Sequence, residues 1–257
     1  MKVGIKLIPQ KEKEYIKIPI NYNAILQAFI YNLFEKNFRE FLHNQGYRFE
    51  KRNFKLFTFS RLFGKYKIIN NKIQFSNFLK FYIASPKSEI LENVAKGLLL
   101  KDKYFLGKNK IAIDSIFVLN DYKFDDEVII KMQSPITVYS TLLKSDGKKK
   151  TYYYSPFEEE FKRQIRDNII KKYFILNGKK PKDDFFDISP IKVNPRDEKV
   201  ILYKKKNKKP TVIKGWMGIY KLRGLKELIK IAYDCGLGAK NSLGFGCWKM
   251  VEKDNFN

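Results

Sequence analysis

The sequence of this chain predicts an α+β fold of two tandem ferredoxin-like βαββαβ domains. The first observation behind this prediction is the order of strand-like and helix-like patterns, which occurs once in each half of the 257 residues. The second is an apolar content of 44%, enough for a buried core in each half. The third is an acidic, turn-like stretch at residues 125–127, where we expect the halves to join. The predicted domains are therefore residues 1–126 and 127–257.

The first half is predicted to run strand, helix, two strands, helix, strand. Residues 3–8 alternate like a strand, and the helix that follows has one apolar face made of Ile25, Leu26, Phe29, Ile30, Leu33 and Phe34. We expect strands at residues 55–60 and 73–84. Ser85 is then the expected N-cap, and Pro86 the first residue, of a second helix that precedes a strand near residues 111–119.

The second half repeats this order of elements. A strand is expected within residues 128–141, and Ser155 with Glu158 forms a predicted capping box that opens a helix running to about residue 176. The other expected elements are strands at residues 185–193, 199–204, 210–220 and 245–251 and a helix at 225–234.

The charge of the chain indicates a polyanionic partner. Its 52 Lys and Arg residues face 27 Asp and Glu, giving a formal net charge of +25. The excess is clustered, because residues 199–226 contain ten basic side chains and no acidic one. Aromatic residues make up 16% of the chain and often adjoin basic ones, as in residues 150–154. Base stacking together with phosphate contact uses this combination, so we expect nucleic acid as the partner.

Other features argue against a secreted or membrane-bound protein. No apolar run approaches the ~18 residues of a membrane span, and the N-terminal region lacks the apolar core of a signal peptide. Cys235 and Cys247 are too few for a disulfide framework, and free thiols are typical of a reducing compartment. We therefore expect a cytoplasmic protein without a membrane partner.

The most informative motif is the glycine-rich segment at residues 236–246. It contains two G-x-G pairs around a polar insert; its predicted RNA-binding residues are Gly236, Gly238, Lys240, Asn241, Ser242, Gly244 and Gly246. The order helix, loop, strand excludes a dinucleotide fingerprint, and the chain contains no P-loop motif. A helix C-cap and one tight turn would need only one glycine each. Four glycines therefore predict a loop whose N–H groups cradle phosphate.

This glycine motif closely resembles the C-terminal signature of the CRISPR-associated repeat-processing endoribonucleases, the sixth Cas family within the RAMP superfamily. The likeness also covers the triplet Ile30-Tyr31-Asn32, a histidine (His43) at the end of this helix, the segment at residues 55–60 and the helix start at Pro156. The resemblance implies two ferredoxin-like (RRM-like) domains, in agreement with the order of elements.

Without the family, the sequence still suggests a route for RNA cleavage that needs no metal and no cofactor. His43 is the sole histidine, and one histidine with two cysteines cannot complete a structural zinc site. The ribose 2′-OH can attack the adjacent phosphorus if one group removes its proton and another protonates the leaving 5′-oxygen. Histidine changes charge near neutral pH and is suited to such transfers. A histidine with only a surface role is the alternative.

The resemblance implies three catalytic residues: Tyr31, His43 and Lys55. Tyr31 and His43 would handle the two protons, in an order the sequence leaves open, and Lys55 would stabilise the phosphorane. Lys51 and Arg52 are alternatives to Lys55 and further expected RNA contacts.

A further expected RNA contact lies near the middle of the second half. Lys214 opens the segment at residues 214–220, which faintly resembles the aromatic RNA-stacking motif of RRM strands.

The predicted function is metal-independent cleavage of precursor CRISPR RNA within its repeats, leaving 5′-OH and 2′,3′-cyclic phosphate ends on guide RNAs for antiviral defence. The alternative is a non-catalytic subunit that binds repeat or guide RNA in a CRISPR effector complex. The expected partner is CRISPR repeat RNA. The sequence leaves open whether the chain forms a homodimer or joins the subunits of an interference complex.

Overall fold

The computed structural model describes residues 1–10, 14–119, 122–143, 145–204 and 209–251. Its strands in the first half are β1 (Lys2–Pro9), β2 (Tyr15–Pro19), β3 (Tyr47–Phe49), β4 (Arg52–Phe54), β5 (Thr58–Phe59), β6 (Tyr66–Ile69), β7 (Lys72–Ser76), β8 (Leu79–Ala84), β9 (Tyr104–Leu106) and β10 (Asn109–Leu119). The later strands are β11 (Glu127–Met132), β12 (Tyr139–Leu143), β13 (Lys149–Tyr153), β14 (Phe186–Lys192), β15 (Glu198–Tyr203), β16 (Thr211–Trp216), β17 (Ile219–Gly224) and β18 (Trp248–Met250). The helices are α1 (Asn23–Leu33), α2 (Lys36–Asn44), α3 (Ser88–Leu99), α4 (Glu159–Asn177) and α5 (Lys226–Cys235).

The first-half sheet has the strand order β5-β8-β1-β10-β9, and all its pairs are antiparallel. Strands β1, β5, β8 and β10 with helices α1 and α3 form a βαββαβ unit, to which β9 adds an edge strand. Alternate residues of the central strand, Val3, Ile5 and Leu7, enter the core beneath the helices.

The second-half sheet repeats this topology. Its order is β14-β17-β11-β18, and α4 and α5 complete the unit. Ile130 and Tyr220 on its central strands are fully buried with Phe161 and Ile165 of α4. The prediction of two tandem ferredoxin-like units is therefore confirmed. Strand β11 begins at Glu127, inside the predicted join; the exact division at residue 126 remains a prediction.

The first predicted helix is two helices in the structure. Helix α1 ends at Leu33, because Phe34 has extended backbone angles (φ −72°, ψ 145°), and α2 begins at Lys36. His43 therefore lies in the last turn of α2 rather than at the end of α1. The expected strand at residues 55–60 is also shorter, since only Thr58 and Phe59 pair in it.

Two expected caps lie outside the helices they were assigned to. Ser85 is three residues before α3, whose N-cap is Lys87. The Ser85 hydroxyl accepts the Lys87 N–H at 3.0 Å and donates to Leu56 O at 2.9 Å. Glu158 does accept the Ser155 N–H, at 2.5 Å, but α4 starts one residue after Glu158. Both serines order the turn before the helix.

A three-stranded sheet β2-β7-β6 and three two-stranded ribbons (β3–β4, β12–β13 and β15–β16) are built around the two ferredoxin-like units. The strands β15 and β16 were expected at residues 199–204 and 210–220, whereas β2, β3, β4, β6 and β13 were not expected from the sequence. The helices among the described residues include none that is long and apolar enough to cross a membrane.

Candidate nucleic-acid interface and active site

The glycine loop, defined here as residues 236–246, follows α5 and leads to β18. Its four glycines all have positive φ, with values of 80° at Gly236, 66° at Gly238, 86° at Gly244 and 78° at Gly246, and Lys240 is also left-handed at 58°. Glycine occupies this region of backbone space without steric cost. A short 3₁₀ turn, Asn241–Leu243, lies between the two glycine pairs.

Each glycine of the loop is also required by close packing. A Cβ on Gly246 would lie 2.0 Å from Leu237 O, one on Gly238 2.6 Å from Thr137 O, and one on Gly244 2.5 Å from the Phe59 ring. The expectation that four glycines exceed the structural need was therefore wrong. The role of the loop in binding RNA stays a prediction, which rests on the groups that the loop leaves accessible.

The buried ammonium of Lys172 holds the loop from beneath. Lys172 lies on α4 and is 2% exposed, and its Nζ donates to Gly236 O at 2.7 Å, to Asn241 Oδ1 at 2.8 Å and to Gly238 O at 3.4 Å. Three acceptors match the three N–H bonds of an ammonium group. Burial lowers the pKa of Lys172 to about 8, against a smaller opposing effect of the nearby Cys235 thiol.

Asn241 completes this network within the loop. Its Nδ2 donates to Leu237 O at 3.0 Å and to Phe245 O at 3.1 Å. The main-chain N–H groups of Asn241 and Ser242 begin the 3₁₀ turn and have no acceptor within it. The loop carbonyls thus face inward, while its polar insert borders an open cleft.

The glycine cleft, a cavity of about 850 Å³, is bordered by this insert, by residues 52–57, by residues 138–141 and by one face of α4. The cationic side chains on its walls are Arg52, Lys55, Arg163, Lys171, Lys172 and Lys240. Lys240 also stacks over the Tyr139 ring, with Nζ 4.5 Å from its centroid. Cations beside an aromatic ring favour a nucleic-acid strand.

Tyr31 and His43 border a second cavity, the histidine cavity, of about 710 Å³. Their rings are nearly perpendicular (85°), with centroids 6.2 Å apart. His43 is exposed, and its Nδ1 lies 2.8 Å from Asn44 Oδ1. An amide oxygen can only accept, so the tautomer that makes this hydrogen bond carries its proton on Nδ1 and has Nε2 available to accept a proton.

Tyr31 is suited to hold its proton. Its side chain is mostly buried against Phe34 and Phe57, with ring centroids 5.5 and 6.0 Å away. Burial, and to a lesser extent the nearby Tyr203 phenol, raise the pKa of Tyr31 above its usual range. The phenol is therefore neutral at neutral pH and can donate a proton.

Lys55 contacts His43 through the main chain. Its Nζ donates to His43 O at 3.0 Å, and burial lowers the pKa of its ammonium. Gly46, with φ +64°, makes room for this contact, because a Cβ there would lie 2.5 Å from Phe54 O and 3.1 Å from Lys55 Nζ. The structure thus places Tyr31 and His43 in one cavity. Lys55 borders the glycine cleft instead and is hydrogen-bonded to the main-chain carbonyl of His43.

Two residues of the histidine cavity were not among the candidate site residues predicted from the sequence. Arg39 is half-buried and lies one helical turn before His43 on α2; the i, i+4 spacing was the available signal. Gln27 on α1 links the two cavities, because its Nε2 donates to Ser242 O at 2.8 Å and its Oε1 accepts from the Tyr203 hydroxyl. Those contacts span more than 170 residues of sequence, so no local pattern indicates them.

Of the remaining predicted RNA contacts, Arg52 borders the glycine cleft, whereas Lys51 and Lys214 are not among the residues that line it. Lys51 and Arg52 are exposed at the β3–β4 hairpin, and Arg52 borders the cleft. Lys214 lies on β16, in a two-stranded ribbon outside the central sheet, and forms an ion pair with Glu198 at 3.2 Å. Residues 205–208 of the basic segment lie outside the described residues. In the described ranges, no three His, Cys, Asp or Glu side chains are grouped so that they could hold a metal ion.

These features define a class: tandem ferredoxin-like proteins with a cationic, glycine-lined cleft. Residues 17–117 match the family model described as CRISPR-associated protein Cas6, N-terminal, and residues 119–250 match CRISPR associated protein Cas6, C-terminal. The chain belongs to the Cas6 family, as the resemblance of its motifs implied.

Individual relatives agree with this assignment. The CRISPR-associated endoribonuclease Cas6 of Pyrococcus furiosus is 29% identical, over 97% of this chain and 90% of that protein. CRISPR-associated endoribonuclease Cas6 1 of Methanocaldococcus jannaschii is 30% identical, over 93% of this chain and 89% of that protein. A solved structure, described as the characterization of a Cas6-related gene from Pyrococcus furiosus, has a TM-score of 0.83 at 28% identity and covers 98% of this chain and 99% of that one.

Proposed function

We propose that this chain is a metal-independent endoribonuclease that cuts precursor CRISPR RNA within its repeats. The observation that carries the proposal is the pairing of Tyr31 and His43 on one open cavity. The relatives named as Cas6 endoribonucleases supply the reaction class. One group that can accept a proton and one that can donate a proton are the two requirements of 2′-OH attack.

The two roles follow from the state of each side chain. His43 Nε2 takes the proton of the 2′-OH as this oxygen attacks the adjacent phosphorus, while Tyr31 gives its proton to the departing 5′-oxygen as the P–O bond breaks. The products are a 2′,3′-cyclic phosphate and a 5′-hydroxyl. Arg39, on the cavity wall, supplies positive charge beside the phosphorane.

Lys55 positions His43 in this mechanism. It holds the end of α2 through the His43 carbonyl and adds positive charge behind the imidazole. The glycine cleft holds the rest of the repeat RNA, through the cations of its walls and the N–H groups of Asn241 and Ser242.

A cleavage assay in EDTA tests the function. Wild-type protein is expected to cut repeat RNA and to leave intact a copy with a single 2′-deoxy nucleotide at the scission site. The His43→Ala variant should bind equally well and cut about 10²–10⁴-fold more slowly. A non-catalytic RNA-binding subunit would bind both RNAs and cut neither, which would refute the proposal.

Sulfur substitution tests the two roles separately. A bridging 5′-phosphorothiolate leaves as a thiolate and needs no proton donor. It should therefore restore cleavage by Tyr31→Phe but not by His43→Ala. Rescue of His43→Ala instead would reverse the assignment. Size-exclusion chromatography with and without repeat RNA decides whether the chain acts as a monomer or as a homodimer.

A further inference from the structure

Phe105 on β9 has an exposed ring at the edge of the histidine cavity. Its side chain is 53% exposed, whereas its neighbour Leu106 is completely buried. Phe105 borders the same cavity as Tyr31 and His43. An exposed aromatic ring that borders a cavity offers a face on which a nucleobase can stack.

The hairpin that carries Phe105 is held in place by Asn109. The Asn109 Nδ2 donates to Leu106 O and to Lys17 O, each at 2.9 Å, and its Oδ1 accepts the Lys17 N–H at 3.0 Å. These bonds tie the β9–β10 turn to β2. The ring is therefore presented on a fixed backbone, which lowers the entropic cost of binding.

The cavity next to this ring has the chemistry of a nucleobase site. Ala24, Ile25 and Ala28 supply apolar lining, and Arg39 and His43 also border the cavity. Its volume of about 710 Å³ is in the range of small-ligand sites. A base has apolar faces and sits next to a phosphate, so apolar lining together with a cation fits one nucleotide.

The reaction itself requires a nucleotide to be held out of the stack. In-line attack needs the 2′-oxygen, the phosphorus and the 5′-oxygen on one line, which a regular stacked strand does not provide. We propose that Phe105 stacks on the base of a nucleotide flanking the scissile phosphate and holds it in the geometry for attack, an inference that rests on the proposed function. The ligand is thus a nucleobase of the bound RNA.

A cycle of protein and RNA changes tests this stacking. Phe105→Ala is combined with repeat RNAs that carry one abasic site at each flanking position in turn. We measure single-turnover cleavage and, with the 2′-deoxy RNA, binding. Phe105→Ala should lower cleavage or binding about tenfold to a hundredfold, as expected for one stacked base. An abasic site at one position should cause the same loss and no further loss in the variant.

Matched variants separate stacking from packing. Phe105→Tyr keeps the ring and should behave as wild type, whereas Phe105→Leu should behave as Phe105→Ala. Phe185, which is 50% exposed and borders neither cavity, is the control, and Phe185→Ala should have no effect.

Two results would overturn the stacking. One is a loss of cleavage or binding in Phe105→Ala that adds to the loss caused by the abasic site at every position. The other is a Phe105→Ala variant that loses neither cleavage nor binding. If wild-type protein leaves repeat RNA uncut, the proposed function fails, and binding of the 2′-deoxy RNA still decides the role of Phe105.

Discussion

The Lys55 ammonium donates a hydrogen bond to the main-chain carbonyl of His43, with Nζ and O 3.0 Å apart. Lys55 follows His43 by twelve positions, and the β3–β4 hairpin between them folds back so that the lysine reaches the end of α2. Lys51 and Arg52, the alternatives considered from the sequence, are exposed on that hairpin. The structure thus separates one anchored cation from two accessible ones.

Lys55→Met should lower the single-turnover rate of cleavage about 10²-fold, because it removes a positive charge behind His43 and frees the end of α2. Affinity for the 2′-deoxy RNA should change much less. Lys51→Met is the control and should affect affinity alone, reducing the slope of log affinity against log salt by roughly 0.7. Equal rate losses in the two variants would contradict the special position of Lys55.

Gly46→Ala should destabilise the fold and reduce cleavage together. The left-handed backbone costs an alanine about 1–2 kcal/mol, and its Cβ would also meet Phe54 O at 2.5 Å and displace Lys55. Gly147 has a similar φ of +72° with nothing within 4 Å of a Cβ, so Gly147→Ala isolates the backbone cost. Urea unfolding and single-turnover assays compare the two. Gly46→Ala should lose more stability than Gly147→Ala. Only Gly46→Ala should also lose cleavage.

Lys172 should make stability depend on pH in a defined window. Burial lowers its pKa from 10.5 to about 8, so between these values the unfolded chain holds a proton that the native protein has released. The free energy of unfolding of wild type should therefore rise with pH relative to Lys172→Met, by at most about 3 kcal/mol, from pH 8 to 10.5. Urea titrations at several pH values in this window measure the difference. Parallel curves would show that Lys172 does not titrate there.

Thr58→Val should weaken the contact between the two halves. The buried Thr58 hydroxyl donates to Phe245 O in the glycine loop at 2.9 Å, and valine keeps the shape without the donor. Loss of this bond should cost about 1–2 kcal/mol in the free energy of unfolding. Thr141→Val, at an exposed position on β12, should be close to neutral in the same denaturant titration.

The two ferredoxin-like units were predictable because their strands and helices alternate regularly, as in β1 and α4. The break between α1 and α2 was not, since apolar residues continue through Phe34, Phe38 and Phe41 without a proline or glycine. Only the extended backbone at Phe34 ends the helix there. Hydrophobic periodicity identifies a buried face but does not show where a helix bends.

The types of residue in the candidate site were predictable from the sequence. The hydrogen bonds that hold these residues in place were not. His43 was singled out as the sole histidine and Tyr31 from the resemblance, and the structure brings them together. Lys172 lies 64 residues before the glycine that it holds, and Gln27 lies 215 residues from Ser242. Hydrogen bonds between such distant positions leave no periodic signal. The sequence therefore did not show that packing requires each glycine of the loop, and RNA binding by the loop stays a prediction.

Gly244 belongs to the second half of the chain, yet a Cβ on it would lie 2.5 Å from the Phe59 ring and 2.9 Å from Asn23 Nδ2, both in the first half. A chimaera that joined the first half of one relative to the second half of another would have to match these three positions at once. Substitutions at these contacting positions must therefore be matched between the two halves during evolution, whereas residues on the outer surfaces can change independently.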